Sequence, residues 1–442
     1  MQHKHINVIG AGLAGCEAAY QIAKRGVPVK LYEAKPKQKS AAHSSADFAE
    51  LVCSNSLKSQ DPSTSQGLLK AEMQLFDSLI LRCAAAAKIP AGGALAVDRT
   101  QFSAAVTKQI KKNPNIQIIC QTTANLDKNA LTIIATGPLT LGTLADELRD
   151  CAEGGLSFYD AAAPIIAAES IDTNAAFFGN RYGKGEVQGA QGDYINCPLT
   201  QDEYYAFISA LTSAETVLQK DFEKNAFFEG CMPVEVLAAR GRDTLRFGPL
   251  KPVGLTDPLT NKRPYAVVQL RKENAAGDMY NMVGFQTNLK FNEQKRVFSM
   301  IPALHAAEFL RYGVMHRNTF INAPNVLNRR YQVKKIPNLF IAGQLSGVEG
   351  YLESAASGLT AGVYALDTLR GGQLPDLPET SLMGALTRYL TAQNPNFQPM
   401  NANFGLLPPL NIRCKQTRKQ AYTARSLADL QEFINLQLTT DN

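Results

Sequence analysis

The chain has 442 residues, 45% hydrophobic and 19% charged, with a formal net charge of +6 and eight cysteines. That length supports a large buried core and more than one domain. No run approaches the ~20 apolar residues of a membrane-crossing helix, and MQHKHINV leads straight into an apolar strand. The expected setting is therefore cytoplasmic, with no membrane attachment and no signal peptide. The cysteines at 16, 53, 83, 120, 151, 197, 231 and 414 are far apart and include no CxxC pair, which argues against a metal centre or a thioredoxin-like motif. Thiols are expected, not disulfides. The mild positive charge permits a polyanionic partner without demonstrating one.

Residues 6–33 read INVIGAGLAGCEAAYQIAKRGVPVKLYE: an apolar strand, a glycine-rich turn, an Ala-rich helix and a second strand ending at Glu33. This pattern predicts a dinucleotide cradle spanning Gly10, Ala11, Gly12, Leu13, Ala14 and Gly15. Gly10 permits the tight turn, Gly12 lets backbone approach a pyrophosphate, and Gly15 lets the helix lie close on the strand. The helix N-terminus then faces the phosphates. Glu33, eighteen residues beyond Gly15, is placed to accept both hydroxyls of an unphosphorylated ribose. The segment alone does not separate FAD from NAD.

A polar stretch and the cysteine-bearing string LVCSNSLKSQ follow, then Leu68, Leu69, Met73, Phe76, Leu79 and Ile80 at the spacing of one helix. PAGGALAVDRTQF at 90–102 begins as a glycine-bearing loop. The run Leu131–Ala135, ending in Thr136 and Gly137, reads as a buried parallel strand whose tight end abuts a cofactor. From 141 to 329 the rhythm changes to longer polar insertions, strands such as RPYAVVQLR and YNMVGFQTNL, and the helical stretch TQDEYYAFISAL. The nucleotide domain resumes near 330 with IPNLFIAGQLSGVEGYLESAASGLTAG, where Gly343 ends a strand and Gly347 and Gly350 precede a small-residue helix. An N-terminal cradle, a mid-chain ATG strand end and a C-terminal strand–AG–helix are how two-dinucleotide flavoproteins wrap one FAD. With no second GxGxxG, a nicotinamide reductant has no cradle of its own. The expected fold is α/β, a Rossmann-like FAD-binding domain over 1–140 and 330–442, interrupted by an inserted α+β domain over 141–329.

Cys53 sits in FAELVCSNSLKS and Cys231 in FFEGCMPVEVLAARGR. A thiol beside a flavin or a cation becomes a reactive thiolate, whereas most buried cysteines only pack. Residue type leaves both readings open, and the same holds for His316 in RYGVMHRNTF. The basic groups Arg240, Arg242 and Arg246, Lys334 and Lys335, and Arg413, Lys415, Arg418 and Lys419 are candidates for phosphate contact or solvated helix faces.

The strings GAGLAGCEAA, FAELVCSNSLKS, PAGGALAVDR, YINCPLT, FFEGCMPVEVLAARG, LRFGPLKPVGL, RPYAVVQLR, AGQLSGVEGYLESAASG and FQPMNANFGLLPPL resemble, over essentially the full length, the bacterial folate- and FAD-dependent tRNA (uracil-5-)-methyltransferase family. The resemblance implies conversion of the T-loop uridine of tRNA to 5-methyluridine. It implies 5,10-methylenetetrahydrofolate as carbon donor, reduced FAD as reductant and NAD(P)H to regenerate it. It carries the nucleophile that adds to uracil C6 onto Cys231, the base that removes the C5 proton onto Cys53, and a folate-stacking histidine onto His316. Cys197, in YINCPLT, is expected to be structural. Asn288 in GFQTNLKF departs from the family, where many relatives carry a histidine. Three alternatives stand beside this reading: the same chemistry on a ribosomal RNA uridine, carboxymethylaminomethyl modification of a wobble uridine, and a non-catalytic RNA-binding flavoprotein. Neither DNA nor a metal is expected as partner.

Overall fold

In the computed structural model the described residues are 5–40, 42–121, 130–140, 144, 155–183, 192–217, 232–395 and 397–440, with backbone alone for 155–161, 315–317 and 437–440. The chain opens with β1 (Ile6–Ile9), α1 (Leu13–Ala23) and β2 (Val29–Glu33). Next come β3 (Ser56–Ser59), α2 (Ser65–Leu75), α3 (Leu79–Ala86), β4 (Lys88–Ile89), β5 (Ala94–Val97), α4 (Arg99–Lys112), β6 (Ile116–Cys120) and β7 (Thr132–Ile134). A β-rich stretch adds β8 (Gly155–Ala161), β9 (Ile165–Ala167), β10 (Phe177–Phe178), β11 (Tyr194–Leu199), α5 (Gln201–Ser213), α6 (Val234–Ala239), β12 (Ala266–Lys272), β13 (Met279–Met282), β14 (Phe309–Arg311) and β15 (Met315–Ile321). The chain closes with β16 (Gln332–Val333), β17 (Ile336–Ile341), α7 (Tyr351–Arg370), α8 (Leu382–Thr391) and α9 (Lys415–Thr440).

The first sheet has the order β16-β17-β7-β1-β2-β6. Its pairs from β17 to β6 are parallel, while β16 pairs antiparallel with β17. Strands covered on both faces read as continuous apolar runs, and Ile133, Ile134, Phe340 and Ile341 are all fully buried. Together with the cradle, this is the expected Rossmann-like α/β fold. The second sheet, β10-β11-β12-β13-β9-β14, is antiparallel and packs its own core around Tyr204, Phe207, Phe285 and Phe298. Helix α5 beside it starts with a complete capping box, Thr200 with Glu203, which satisfies two otherwise open donors. Phe320–Val326 pack with the first core, not the second.

Helices α1 and α7 lie against each other with almost no side chain between them. A Cβ on Gly358 would sit 2.1 Å from the Ala14 carbonyl oxygen, and one on Gly15 would sit 1.8 Å from that of Gly10. The helix expected across Leu68–Ile80 is instead two. Asp77 adopts a positive φ of 52°, and Ser78 caps α3 by accepting from the Leu81 amide. Of the expected strand YNMVGFQTNL, Tyr280–Met282 lie in β13; Gly284 at φ 79° then turns the backbone, and Leu289 pairs with Thr216 in an isolated antiparallel bridge.

Glu72, fully buried on α2, joins three helices. Its carboxyl accepts from the Leu382 and Met383 amides at the start of α8 (2.7 and 2.9 Å) and from the Ser426 hydroxyl of α9 (2.6 Å). Burial pushes this carboxyl up from 4.5 to about 7, so the folded protein retains a proton that the unfolded chain has released. Its contribution to stability is therefore full below the unfolded value and is lost as pH rises through about 7. Glu72→Gln should flatten that dependence: in thermal melts, the variant gains on the parent between pH 5 and pH 8. A parent–variant difference that does not change with pH would contradict this.

Candidate active site

A cavity of about 520 Å³ is bordered by both the first sheet and the second, within the range of small-molecule sites. At one end lies the glycine-rich turn. Gly10 has φ 98°, and a Cβ there would stand 2.6 Å from the Ala135 carbonyl oxygen. Gly12, the N-cap of α1, is extended and uncapped by any side chain; a Cβ there meets nothing nearer than 4.0 Å. Gly12, Leu13 and Ala14 border the cavity, so α1 starts at its wall. Ala11 and Gly15 lie behind that wall. The Ala11 amide donates to Glu33 Oε2 at 2.7 Å, and the Lys35 amide to Oε1 at 2.9 Å. A carboxylate offers about four acceptor sites, which leaves Glu33 capacity for two hydroxyls.

A second helix start faces the same cavity. Gly350, at φ 114°, is the N-cap of α7 and also lacks a side-chain cap. Gly343, at φ 78°, follows β17, and its amide donates to the Ser357 hydroxyl at 2.7 Å. Thr136 and Gly137, at the end of β7, border the cavity with them. Thr136 Oγ1 lies 2.6 Å from Thr140 Oγ1, tightening this turn. The uncapped N-terminus of α1 and the open-faced Gly12 form an anion-binding lining, whereas α7 carries the buried Glu353 carboxylate in its own first turn. The residues fit a dinucleotide.

Cys53, half-buried, stands elsewhere along the cavity wall. Its loop is held from several directions. The Tyr351 hydroxyl accepts from the Cys53 amide at 2.7 Å and the Ser54 amide at 3.1 Å. Arg99 donates to the carbonyls of Leu51 (2.8 Å) and Cys53 (3.1 Å), and Arg311 donates to Cys53 O at 3.4 Å. Arg271 of β12 reaches Asn55 Oδ1 and Ser54 Oγ, each at 2.9 Å. Glu273 pairs with Arg99. Burial lowers the affinity of the Arg271 and Arg311 guanidinium groups for their protons and raises that of the Glu273 carboxylate.

Other expected residues fall as follows. Cys231 lies outside the described residues; beyond it, the Val234 amide at the start of α6 donates to the carbonyl of Gln286, a cavity residue, at 2.7 Å. His316 lies on β15 opposite Asp160 of β8, on the strand that brings Asn318 to the cavity; its side chain is outside the described set. Cys197 is buried in β11, with its thiol pushed up to about 12 by burial, consistent with an inert packing role. Arg242 and Arg246 stack on Tyr205 and Tyr265, 3.5 and 3.6 Å from the ring centres, and Lys334 donates to Pro324 O at 2.8 Å. Arg413 and Lys415 are exposed. Sequence reasoning passed over Tyr351, Arg99, Arg271 and Arg311, which act through contacts distant in the chain. Tyr351 follows Gly350 at the start of a helix, the one local hint it carried.

Tyr351→Phe removes the acceptor shared by two loop amides, at a cost of about 1–3 kcal/mol. Hydrogen exchange at residues 52–54 should accelerate while the α1 and α7 amides keep their protection. Unchanged exchange in the loop would show that Tyr351 does not hold it.

The model of the family described as glucose inhibited division protein A matches residues 5–373. Two solved structures of Aquifex aeolicus GidA superpose with a TM-score of 0.70 at 15% and 17% identity, covering 98% and 97% of this chain and 74% and 76% of theirs; at that identity they speak for the fold. The protein of Acetivibrio thermocellus called methylenetetrahydrofolate--tRNA-(uracil-5-)-methyltransferase TrmFO is 57% identical over 435 residues, 98% of this chain and 99% of the relative. Its namesake in Bacillus mycoides is 54% identical over the same share. With identity that high across both full lengths, the chain belongs to the methylenetetrahydrofolate--tRNA-(uracil-5-)-methyltransferase family, within the wider glucose inhibited division protein A group.

Proposed function

We propose that this protein methylates C5 of the T-loop uridine of tRNA, with 5,10-methylenetetrahydrofolate as carbon donor, FAD as its resident cofactor, NAD(P)H as the reductant that recharges it, and the cytoplasm as its setting. The observation that carries the reading is the placement of Cys53 on the same cavity as the dinucleotide cradle. The cofactor residues are Gly10, Ala11, Gly12, Leu13, Ala14, Gly15, Glu33, Thr136, Gly137, Gly343 and Gly350. The uncapped start of α1 holds phosphate oxygens, the start of α7 faces the cofactor, and Glu33 takes the ribose. Bound FAD supplies, once reduced, the hydride that completes the methyl group.

The chain's own side chains do the rest. Uracil C5 is a weak nucleophile until a thiolate, assigned to Cys231, adds to C6 and turns the C4 carbonyl into an enolate. C5 then attacks the folate-derived methylene, forming the new carbon–carbon bond. Cys53 takes the C5 proton, and the bond from the new carbon to the folate nitrogen breaks, so that tetrahydrofolate departs and leaves an exocyclic methylene on C5. Hydride addition to that methylene expels Cys231 from C6 and restores the C5–C6 double bond. Tyr351, Arg99 and Arg311 fix the backbone from which Cys53 works. His316, on β15 two positions before cavity-lining Asn318, is assigned to the folate ring. The uridine leaves its stack to reach the cavity. The division into a cofactor domain over 1–140 and 330–442 and an inserted domain over 141–329 fits this arrangement.

The test is a T-arm RNA bearing 5-fluorouridine, whose C5 fluorine cannot be removed as a proton. The parent protein and Cys53→Ala should both form an adduct that survives denaturing gels, and Cys231→Ala should form none. On ordinary tRNA, Cys53→Ala should lose turnover. An adduct in Cys231→Ala, or normal turnover in Cys53→Ala, would reverse the assignments.

A further inference from the structure

Strand β13 places Asn281 directly opposite Arg271 of β12. Its neighbours Tyr280 and Met282 belong to the core of the second domain, so period-two alternation directs Asn281 to the other face. On that face Arg271 and Asn281 both border the cavity. Arg271 is committed to the Cys53 loop through Ser54 and Asn55. Asn281 is not: it is 3% exposed, and its amide nitrogen has no hydrogen-bond partner among the described residues. A buried amide left this way is destabilising, and buried polar groups in folded proteins are nearly always satisfied. The missing partner belongs to whatever fills the cavity.

We propose that Asn281 is a ligand-binding residue whose amide pairs with the lactam edge of a cofactor ring, donating to its ring carbonyl. The proposal rests on the reading above that FAD and a folate share this cavity. An asparagine amide presents one donor and one acceptor side by side, the complement of the adjacent carbonyl and N–H of an isoalloxazine or a pterin. The two rings share this edge, so the chemistry is common to both. The β12–β13 ladder fixes Asn281 from both sides, through Arg271 and through Ile165 of β9, so the donor is positioned before the ligand arrives. That is the arrangement in which a hydrogen bond contributes most to binding.

Asn281→Leu keeps the size and removes the donor; Asn281→Ser is the smaller companion should Leu disturb packing. Each variant is purified as the full chain, and its FAD affinity is measured by flavin fluorescence. Tetrahydrofolate is then titrated against the FAD-loaded protein by flavin absorbance, and tRNA binding is measured separately. The expected result is a Kd for FAD or for tetrahydrofolate weaker by about tenfold, while the melting temperature of the FAD-stripped protein is unchanged or raised. The ligand that loses affinity identifies which ring Asn281 holds. Parent-like affinity for both rings, weakened tRNA binding alone, or a lowered melting temperature without FAD in both variants would each overturn the proposal. If the parent protein itself bound neither ring, the functional reading would fall first and this inference with it.

Discussion

The structure depends on one steric condition: β1, α1 and α7 approach each other at distances that exclude side chains. Gly15 allows α1 to rest on the turn after β1, and Gly358 allows α7 to rest on Ala14. Because both helices are pinned near their first turns, both uncapped N-termini open on the same cavity. At the start of α1 the aligned peptide dipoles and open amides make an anion site without requiring a basic side chain at the cap; at the start of α7 the Glu353 carboxylate lies in the first turn. A single methyl group at Gly15 or Gly358 would separate the pieces that make the site, because overlap with a backbone oxygen is relieved only by moving a whole element.

The second sheet supplies the opposite wall, and its joint with the elements of the first is polar. Asn55 donates to the carbonyls of Lys272 and Glu273, Asp98 accepts from the Ala275 amide, and Asp193 accepts from the Gly92 amide. Three of these four bonds fall where β12 ends, and the Cys53 loop runs between them and Tyr351 of α7. The loop therefore takes its shape from both sides of this joint. A displacement of either would move Cys53 relative to the cradle, which couples the thiol's position to the assembly of the whole cavity.

The parts of this arrangement legible in the sequence are those coded by local chemistry. The cradle could be read because each glycine answers a backbone need within ten residues, and Glu33 because it ends the next strand. Cys53, Thr136 and Gly343 were likewise placed by the strands and loops around them, and all border the cavity. The break between α2 and α3 was hidden because Leu79 and Ile80 keep the helical phase of Leu68 and Met73. Only the backbone at Asp77 and the cap at Ser78 reveal it. Arg99, Arg271, Arg311 and Tyr351 could not be read at all: they meet at Cys53 from separate elements, and a residue whose partner lies 298 positions away leaves no periodic trace. Asn281 looked like any polar residue in a strand until its face and its missing partner were known.

The ionic cluster behind Cys53 is not explained by stability. Taking charges out of water is costly, and well-packed apolar residues often replace a buried ion pair without loss. Here Arg271 and Arg311 are largely buried, and with Arg99 they outnumber the carboxylate of Glu273 three to one. Burial works against the Arg271 and Arg311 charges, and the cluster carries more positive than negative groups in a low-dielectric wall. Such an excess does little for an unoccupied fold but stabilises negative charge arising beside it. The chemistry assigned to this cavity generates such charge, first on the attacking thiolate and then on the uracil enolate. Under the assignment proposed above, the same guanidinium groups that tie down the Cys53 backbone also favour the enolate that loss of the C5 proton creates.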